Sequence, residues 1–166
     1  MITKWKGLQV ASVFTEIING KLPAHAIWRD TECVSFLSIN PISDGHCLVV
    51  PIAEVDHWVD LPEEKVGHLL KVASLIGQSQ MRVFKPSRIG QMIAGFEVPH
   101  THLHVLPIND MTDLDFRNAI SNANHDKLAE YAKLIRENIH VSEQINVVES
   151  FSSPVSYTHL TLPTKA

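Results

Sequence analysis

The chain has 166 residues, 45% of them hydrophobic, and this length and composition suit a single domain with one sizeable core. Its formal net charge of -4 argues against a basic surface that binds nucleic acid through the phosphate backbone. A small phosphate ligand remains compatible with this charge, because a few aimed donors in a pocket decide such binding.

Cysteine content and hydropathy predict the compartment. The two cysteines, Cys33 and Cys47, are too few for the disulfide framework of a small secreted domain. The first residues lack the apolar stretch of a signal peptide, and no run reaches the roughly 20 apolar residues of a membrane span. We therefore expect a cytoplasmic protein whose partners are neither membranes nor nucleic acids.

The amino-terminal part predicts one short helix and three strands. Residues 12–19 carry apolar side chains at helical spacing, and Gly20 follows as a typical residue just past a helix end. Residues 30–32 read as a hairpin turn. Segments rich in β-branched and aromatic residues predict strands at 25–29, 33–39 and 46–50.

The central part of the chain predicts one long helix. Asp60 has the form of a helix cap, with Pro62 in the first turn and Glu63 three residues on. The helix runs towards Phe84, and segment 85–87 ends it. Apolar residues repeat at helical spacing at Val66, Leu69, Leu70, Ala73 and Ile76.

Two further strands and a last helix follow. The strands are predicted at 89–94 and 100–106, and Pro99 and Pro107 enclose the second one. The order of elements predicts an α+β fold, with an antiparallel sheet of about five strands, one long packed helix and short terminal helices. One face of the last helix is formed by Leu128, Tyr131, Ala132, Ile135 and Ile139.

Three histidines in the fifth predicted strand carry the chemical information. His100, His102 and His104 would share one strand face at intervals of about 6.6 to 6.8 Å. A row of imidazoles is a poor way to build a core, and an exposed strand would more naturally use Thr, Lys or Glu. The row therefore points to a functional site.

The spacing admits two kinds of site. Two neutral imidazoles can share a zinc or iron ion, with a chain-distant ligand such as His46. Alternatively, one imidazole can act as a nucleophile if one ring nitrogen attacks while a backbone carbonyl holds the other nitrogen protonated. Neighbouring imidazoles and N–H groups can then stabilise phosphoryl oxygens and protonate a leaving group without a metal.

The sequence resembles the histidine triad (HIT) family. Residues 100–106 match its signature His-φ-His-φ-His-φ-φ, where φ is hydrophobic, with Thr101 as the imperfect position. Residues 12–23 are similar to the family's N-terminal helix and turn, and residues 36–51 to its central hairpin. The similarity covers roughly residues 12 to 116.

The resemblance implies a nucleotide hydrolase or transferase that is usually a homodimer and needs no cofactor or metal. His102 would be the nucleophile, forming a nucleotidyl-histidine intermediate. His104 would contact the scissile phosphate, His100 would supply the carbonyl that orients His102, and His46 would join this network. Family substrates are nucleoside phosphoramidates, acyl-nucleotides and dinucleoside polyphosphates, so the expected partner is a purine nucleotide-type small molecule and the product a nucleoside monophosphate.

Two departures from the family pattern lie in its first half. Many members have Cys-x-x-Cys near the amino end, where we align residues 11–14, so a structural zinc site of that kind is not expected. Ser38 stands where many members have an Asp or Asn that grips the ribose hydroxyls. Asn40 is the candidate to replace that contact.

A third departure precedes the triad. The common Gly-Gln-Ser/Thr becomes Gly95-Phe96-Glu97, which removes a phosphate-contacting amide and adds a carboxylate. Gln91 is a candidate to replace the amide. Glu97 either orients an imidazole or an amine leaving group, or simply faces solvent, and repulsion from phosphate favours the second reading. The candidate substrate contacts are Ser38, Asn40, Gln91, Gly95 and Glu97.

The expected organisation is an N-terminal extension at 1–11, a HIT-like catalytic domain at 12–142 and a tail at 143–166. Residues 155–166 resemble the translation of a sequencing-library adapter, so we exclude them and His159 from the fold and the site. Two rival functions remain: a nucleotide-binding signalling module with weak turnover, and a His-ligated metal enzyme. The histidines expected at the surface or partly packed are His25, His57, His68, His125 and His140.

Overall fold

The computed structural model of the protein describes residues 10–141. The tail at 143–166 and residues 1–9 of the expected extension lie outside the described residues. Among residues 10–141, no helix combines the length and hydropathy needed to span a membrane. The helices are α1 (Val13–Ile18), α2 (Glu63–Phe84) and α3 (His125–Glu137), and the strands are β1 (Ala26–Arg29), β2 (Cys33–Leu37), β3 (Cys47–Pro51), β4 (Arg88–Met92) and β5 (Leu103–Ile108).

The five strands form one antiparallel sheet in the order β1-β2-β3-β5-β4. This arrangement confirms the predicted α+β fold. Leu48 of β3 and Met92 of β4 both pair with His104 of β5, and paired residues share a sheet face. The register therefore places the last triad histidine between two apolar neighbours on one face of the sheet.

Helices α2 and α3 cover the opposite face. The core between them and the sheet includes Val49, Ile76, Val105 and Ile135, which are almost fully buried. On the triad face, α1 packs through Phe14 and Ile18 against a second cluster with Val34, Phe36, Leu48 and Val50. The sheet thus has one face covered by α2 and α3, and an opposite face that carries α1 and the triad histidines.

Two boundaries differ from the sequence prediction. Strand β5 begins at Leu103 rather than His100, and Pro107 lies inside it. The backbone N and O of a strand residue point to the same side. The Pro107 carbonyl accepts a hydrogen bond from the Ser43 hydroxyl at 2.8 Å, and Ser43 precedes Cys47, the first residue of β3. The missing N–H of proline is therefore tolerated, because it falls where no strand partner lies.

Other local predictions were wrong at single residues. Asp60 ends a short 3-10 turn (Trp58–Asp60), and Pro62 caps α2 without a side-chain hydrogen bond. Leu70 is 44% exposed, whereas Val72, absent from the predicted stripe, is buried. Ile139 follows the end of α3 and packs against the core. His25 is buried, with its Nε2 3.1 Å from Nδ1 of His125.

The turn before β3 requires glycine at position 45. Gly45 has φ +83°, and a Cβ added there would lie 2.3 Å from the Phe84 ring. Both the left-handed conformation and the close approach exclude a side chain. This turn leads directly into His46, so its geometry also positions the site.

We predict that Gly45→Ala destabilises the protein by about 1–3 kcal/mol, because it adds backbone strain and a clash. Gly67→Ala is the matched control: it lies in α2 with open space around its Cα, and should stabilise by roughly 0.5–1 kcal/mol. Urea unfolding of both variants measures the difference. Equal effects of the two substitutions would contradict this account of the turn.

Candidate active site

One ring nitrogen of His102, Nδ1, is hydrogen-bonded to the protein backbone. This nitrogen lies 2.7 Å from the backbone carbonyl of His100. Because a carbonyl only accepts, Nδ1 carries the proton, and Nε2 of the neutral ring keeps its lone pair. His102 is 5% exposed, so most of the residue is out of contact with bulk water.

A chain of hydrogen bonds fixes the protons of His46 and His104. The backbone N–H of Ile42 donates to Nδ1 of His46 at 3.1 Å, so His46 must carry its proton on Nε2. That nitrogen lies 2.9 Å from Nδ1 of His104 and donates to it. His104 is left with its own proton on Nε2, as a hydrogen-bond donor for the site.

Burial keeps both of these imidazoles uncharged. Burial is the largest cause that lowers the pKa of His46, and the neighbouring His104 and His102 add to the shift, which brings that pKa to about 3. Burial and then the neighbouring His102 lower the pKa of His104 to about 4. Near neutral pH the chain from Ile42 to His104 therefore has one arrangement of protons.

Two phenylalanines border the rings of His102 and His104. The edge of Phe14 lies against His102, with ring centroids 5.0 Å apart. Phe116 lies against His104, also at 5.0 Å, and His102 and His104 are themselves 4.9 Å apart. These apolar rings lower the local dielectric, which strengthens hydrogen bonds made to a charged phosphate.

His100 contributes its carbonyl to the site, while its ring lies behind it. The ring is fully buried, with Nε2 2.8 Å from the carbonyl of Pro51 and Nδ1 2.7 Å from the Ser12 hydroxyl. Both nitrogens are thus engaged with protein. The structure therefore gathers the rings of His46, His102 and His104, and adds only the carbonyl of His100.

Ser38 and Asn40 lie in the turn between β2 and β3, beside His46. The backbone N–H of Ser38 donates to the carbonyl of His46 at 2.9 Å. The Ser38 hydroxyl accepts from the backbone N–H of Asn40 at 3.2 Å, and Asn40 is exposed. Both candidates are therefore on the same turn as a member of the histidine chain.

The other three candidate contacts are placed less closely. Gln91 pairs with Val105, so it lies on the α2 face of the sheet and the structure does not bring it to His104. Gly95, with φ +85°, and Glu97 lie in the segment between β4 and β5. Within residues 10–141, no hydrogen bond or ion pair joins the exposed Glu97 to a triad histidine.

One group in the described part of the chain has the spacing of metal ligands: Asp30, Cys33 and His68. Oδ1 of Asp30 already accepts from the backbone N–H groups of Glu32 and Cys33, each at 2.8 Å. Burial raises the pKa of the Cys33 thiol, which therefore stays protonated. This group is a stabilised turn. At the triad, a metal would have to displace Ile42 or His104 to bind His46.

Several residues of the site gave no signal in the sequence. The Ile42 contact is made by a backbone N–H, which every non-proline residue carries. Phe116 follows the triad strand in a short turn (Phe116–Asn118), with no spacing that links it to His104. The sequence predicts only that Phe14 and Ser12 belong to a helix, and the packing of α1 brings them to the histidines.

Comparisons with known proteins identify the family that the chain resembles in sequence and fold. A family model described as the HIT domain matches residues 19–111. A zinc-bound histidine triad family protein from Mycobacterium smegmatis superposes with a TM-score of 0.66 and 27% identity, covering 76% of this chain and 91% of that one.

Three relatives also share sequence with the chain. An uncharacterized HIT-like protein of Methanocaldococcus jannaschii is 32% identical over 99 residues, 57% of this chain and 77% of the relative. An adenylylsulfatase of Arabidopsis thaliana is 28% identical, with 60% and 53% covered. An adenosine 5'-monophosphoramidase of Saccharomyces cerevisiae is 26% identical, with 62% and 66% covered.

The lowered pKa values predict a loss of stability in acid. Unfolded histidines bind protons below about pH 6.5, whereas folded His46 and His104 stay neutral until about pH 3 and 4. The unfolded state therefore binds more protons, so the free energy of unfolding falls as pH drops from 6.5 towards 4. His25, whose pKa burial lowers to about 4, contributes in the same direction.

Between about pH 7 and pH 5, the free energy of unfolding of His104→Gln should fall by roughly 1–2 kcal/mol less than that of the wild type. The reason is that one histidine with a lowered pKa is gone. Urea unfolding at the two pH values measures this. His140→Gln, at an exposed position, is the matched control and should behave as wild type. An identical loss in His104→Gln would show that His104 is not held neutral by the fold.

Proposed function

The chain belongs to the HIT family, and from this premise and the geometry of the triad we propose that it is a nucleotide hydrolase or transferase. The proposed reaction occurs at the α-phosphorus of a nucleoside phosphate derivative. One observation carries the proposal: Nδ1 of His102 is bonded to the His100 carbonyl at 2.7 Å, which favours the tautomer whose Nε2 has a free lone pair. Such a nitrogen is a nucleophile at neutral pH.

In the first step, Nε2 of His102 forms a bond to the α-phosphorus while the bond from phosphorus to the leaving oxygen or nitrogen breaks. The electron pair of that bond stays on the leaving group, and an amine leaving group takes up a proton from solvent. The imidazole gains positive charge, and the carbonyl of His100 stabilises it through the Nδ1–H bond. In the second step, water attacks phosphorus and releases a nucleoside monophosphate and the free imidazole. A different acceptor in place of water makes the same reaction a transfer.

His104 has a separate role in this proposal. Its Nε2–H, fixed by the bonds from Ile42 to His46 and from His46 to His104, donates to a non-bridging phosphoryl oxygen. Because the donor is oriented before substrate binds, no reorganisation is needed as negative charge develops. Phe14 and Phe116 border the two rings and keep their surroundings apolar.

The substrates that fit are nucleoside phosphoramidates, acyl-nucleotides and dinucleoside polyphosphates, with a purine base. The relatives named as an adenylylsulfatase and an adenosine 5'-monophosphoramidase support an adenylyl group. We assign Ser38 and Asn40 to the sugar, because they lie on the turn that carries His46. Gly95 and Glu97 are proposed to face the leaving group, since their segment leads into the triad.

A nucleotide-binding module with weak turnover is the second candidate. Ser38 favours it, because one hydroxyl already engaged by the Asn40 N–H has less capacity for two ribose hydroxyls than a carboxylate has. The two functions differ in turnover. A binding module holds adenosine monophosphate but forms no product from any of the three substrate classes.

We predict metal-independent release of adenosine monophosphate from adenosine phosphoramidate, after treatment of the protein with a chelator. Rapid quenching and intact-protein mass spectrometry should detect a nucleotidyl adduct on the wild type. His102→Ala should lose at least about 10³-fold in kcat and form no adduct, because the nucleophile is gone. His140→Ala is the control with unchanged turnover.

Each of three other results would contradict part of the proposal. Binding of adenosine monophosphate without product from a phosphoramidate, an acyl-adenylate or a dinucleoside polyphosphate would favour the signalling module. Activity that chelation abolishes and a single metal restores would favour the metal enzyme. Full turnover by His102→Ala would remove the assigned nucleophile.

Ser38→Asp should lower KM for adenosine phosphoramidate by roughly 2- to 10-fold, because a carboxylate can accept from both ribose hydroxyls. Binding of uncharged adenosine, measured by calorimetry, separates this gain from repulsion between the carboxylate and the phosphate. Ser38→Asn is the matched neutral variant. Unchanged or weaker adenosine binding by both variants would show that position 38 does not contact the sugar.

A further inference from the structure

Behind the triad, four residues form a second hydrogen-bond network, which we call the support network: Ser12, Thr15, Glu54 and His100. One oxygen of Glu54, Oε2, accepts from the backbone N–H of Ser12 at 3.1 Å and from the Thr15 hydroxyl. The Ser12 hydroxyl lies 2.7 Å from Nδ1 of His100. The network thus connects the amino end of α1 and the segment after β3 to the first triad histidine.

The directions of these bonds follow from the groups that make them. The carbonyl of Pro51 accepts from Nε2 of His100 at 2.8 Å, so Nδ1 of the neutral ring is an acceptor and the Ser12 hydroxyl donates to it. The Ser12 oxygen also accepts from the backbone N–H of Thr15 at 3.1 Å, as the cap of α1. Glu54 accepts the hydrogen bond that the Thr15 hydroxyl donates.

Because the Thr15 hydroxyl donates to Glu54, its oxygen is an alternative acceptor for Ser12, but at 3.3 Å it is more distant than Nδ1 of His100. Hydrogen bonds from Thr15 and Ser12 lower the pKa of Glu54, which is therefore ionised at neutral pH. Glu54 is half-buried, whereas Ser12 and His100 are buried. The shorter contacts thus run from Thr15 to Glu54 and from Ser12 to His100, and the Thr15 hydroxyl lies 3.5 Å from Nδ1 of His100 as an alternative partner.

The support network acts on the site through the backbone of His100. The carbonyl of this residue accepts the Nδ1–H of His102 at 2.7 Å, and that bond decides which nitrogen of His102 can attack. The segment after β3 holds the same stretch, because the carbonyl of Val55 accepts from the Thr101 N–H at 2.7 Å. His100 precedes β5 and receives no ladder bonds of its own, so these contacts replace the sheet as its support.

We propose that Glu54 is a positioning residue for the nucleophile: through Thr15 and Ser12 it fixes the ring of His100, and the carbonyl of His100 then sets the orientation of His102. The effect on turnover rests on the proposed function. The effect on the His102 hydrogen bond does not, because it concerns the protein without substrate.

Matched variants at positions 15 and 54 test this role. Thr15→Val removes the hydroxyl with nearly the same shape, and Thr15→Ser restores it. Glu54→Ala removes the acceptor, whereas Glu54→Gln keeps an acceptor oxygen without the charge. Glu130→Ala, at an exposed position of α3, is the control outside the network.

Two readouts are measured on each folded variant, after thermal unfolding has confirmed that it is folded. The first is the downfield proton resonance of Nδ1–H of His102 in the absence of substrate. The second is kcat and KM for adenosine phosphoramidate. Thr15→Val and Glu54→Ala should broaden or shift the resonance and lower kcat about 10- to 100-fold with KM changed less than about 3-fold, because misplacement acts on the reacting geometry.

Thr15→Ser and Glu54→Gln should recover most of the wild-type resonance and kcat, and Glu130→Ala should match the wild type in both. Unchanged resonance and kcat in Thr15→Val and Glu54→Ala would overturn the positioning role. If the wild type itself forms no product, the proposed function fails, and the resonance alone then decides whether Glu54 positions His102.

Discussion

The site depends on one backbone donor, the N–H of Ile42, which points at Nδ1 of His46. An N–H cannot accept, so this contact determines the tautomer of His46 and, through a 2.9 Å bond, that of His104. The turn that presents Ile42 and His46 contains Gly45, whose left-handed backbone and contact with Phe84 admit no side chain. The backbone geometry of this turn thus places the proton of His104 on Nε2, from which it can be donated to a phosphate.

His102 is controlled by an independent set of contacts. Its Nδ1–H is held by the His100 carbonyl, and His100 is supported by Pro51, by Ser12 and, behind Ser12, by Thr15 and Glu54. One side of the site is therefore oriented by the β2–β3 turn and the other by α1 and the segment after β3. Burial of the imidazoles carries a desolvation penalty, and the hydrogen bonds that their paired ring nitrogens make offset that penalty. The nitrogens that remain for a ligand are those of His102 and His104.

Patterns that depend on local sequence were predicted well. The helical period of Leu69, Ala73 and Ile76 lies against the sheet, and the hairpin from Cys33 to Pro51 has the expected strands. The alternation of side chains along an extended segment predicted that the rings of His102 and His104 lie on one face, and their centroids are 4.9 Å apart.

Contacts between distant segments were not predictable in the same way. Gln91 shares a face with Val105 only because of the β4–β5 register, which the sequence does not specify residue by residue. His100 precedes β5 rather than lying in it, since the loop to Pro51 and Val55 takes over its bonding. Ser12 had a sufficient local role as a helix cap, and nothing in its surroundings along the chain indicated the contact with His100, which is 88 residues away.

The most direct test of the central claim is the tautomeric state of the three site histidines, measured near pH 7 by the ¹⁵N chemical shifts of their ring nitrogens. We expect protons on Nε2 of His46, on Nε2 of His104 and on Nδ1 of His102, with the rings of His46 and His104 neutral. A proton on Nε2 of His102, or on Nδ1 of His104, would contradict this expectation, because neither the nucleophile nor the phosphate donor would then be available.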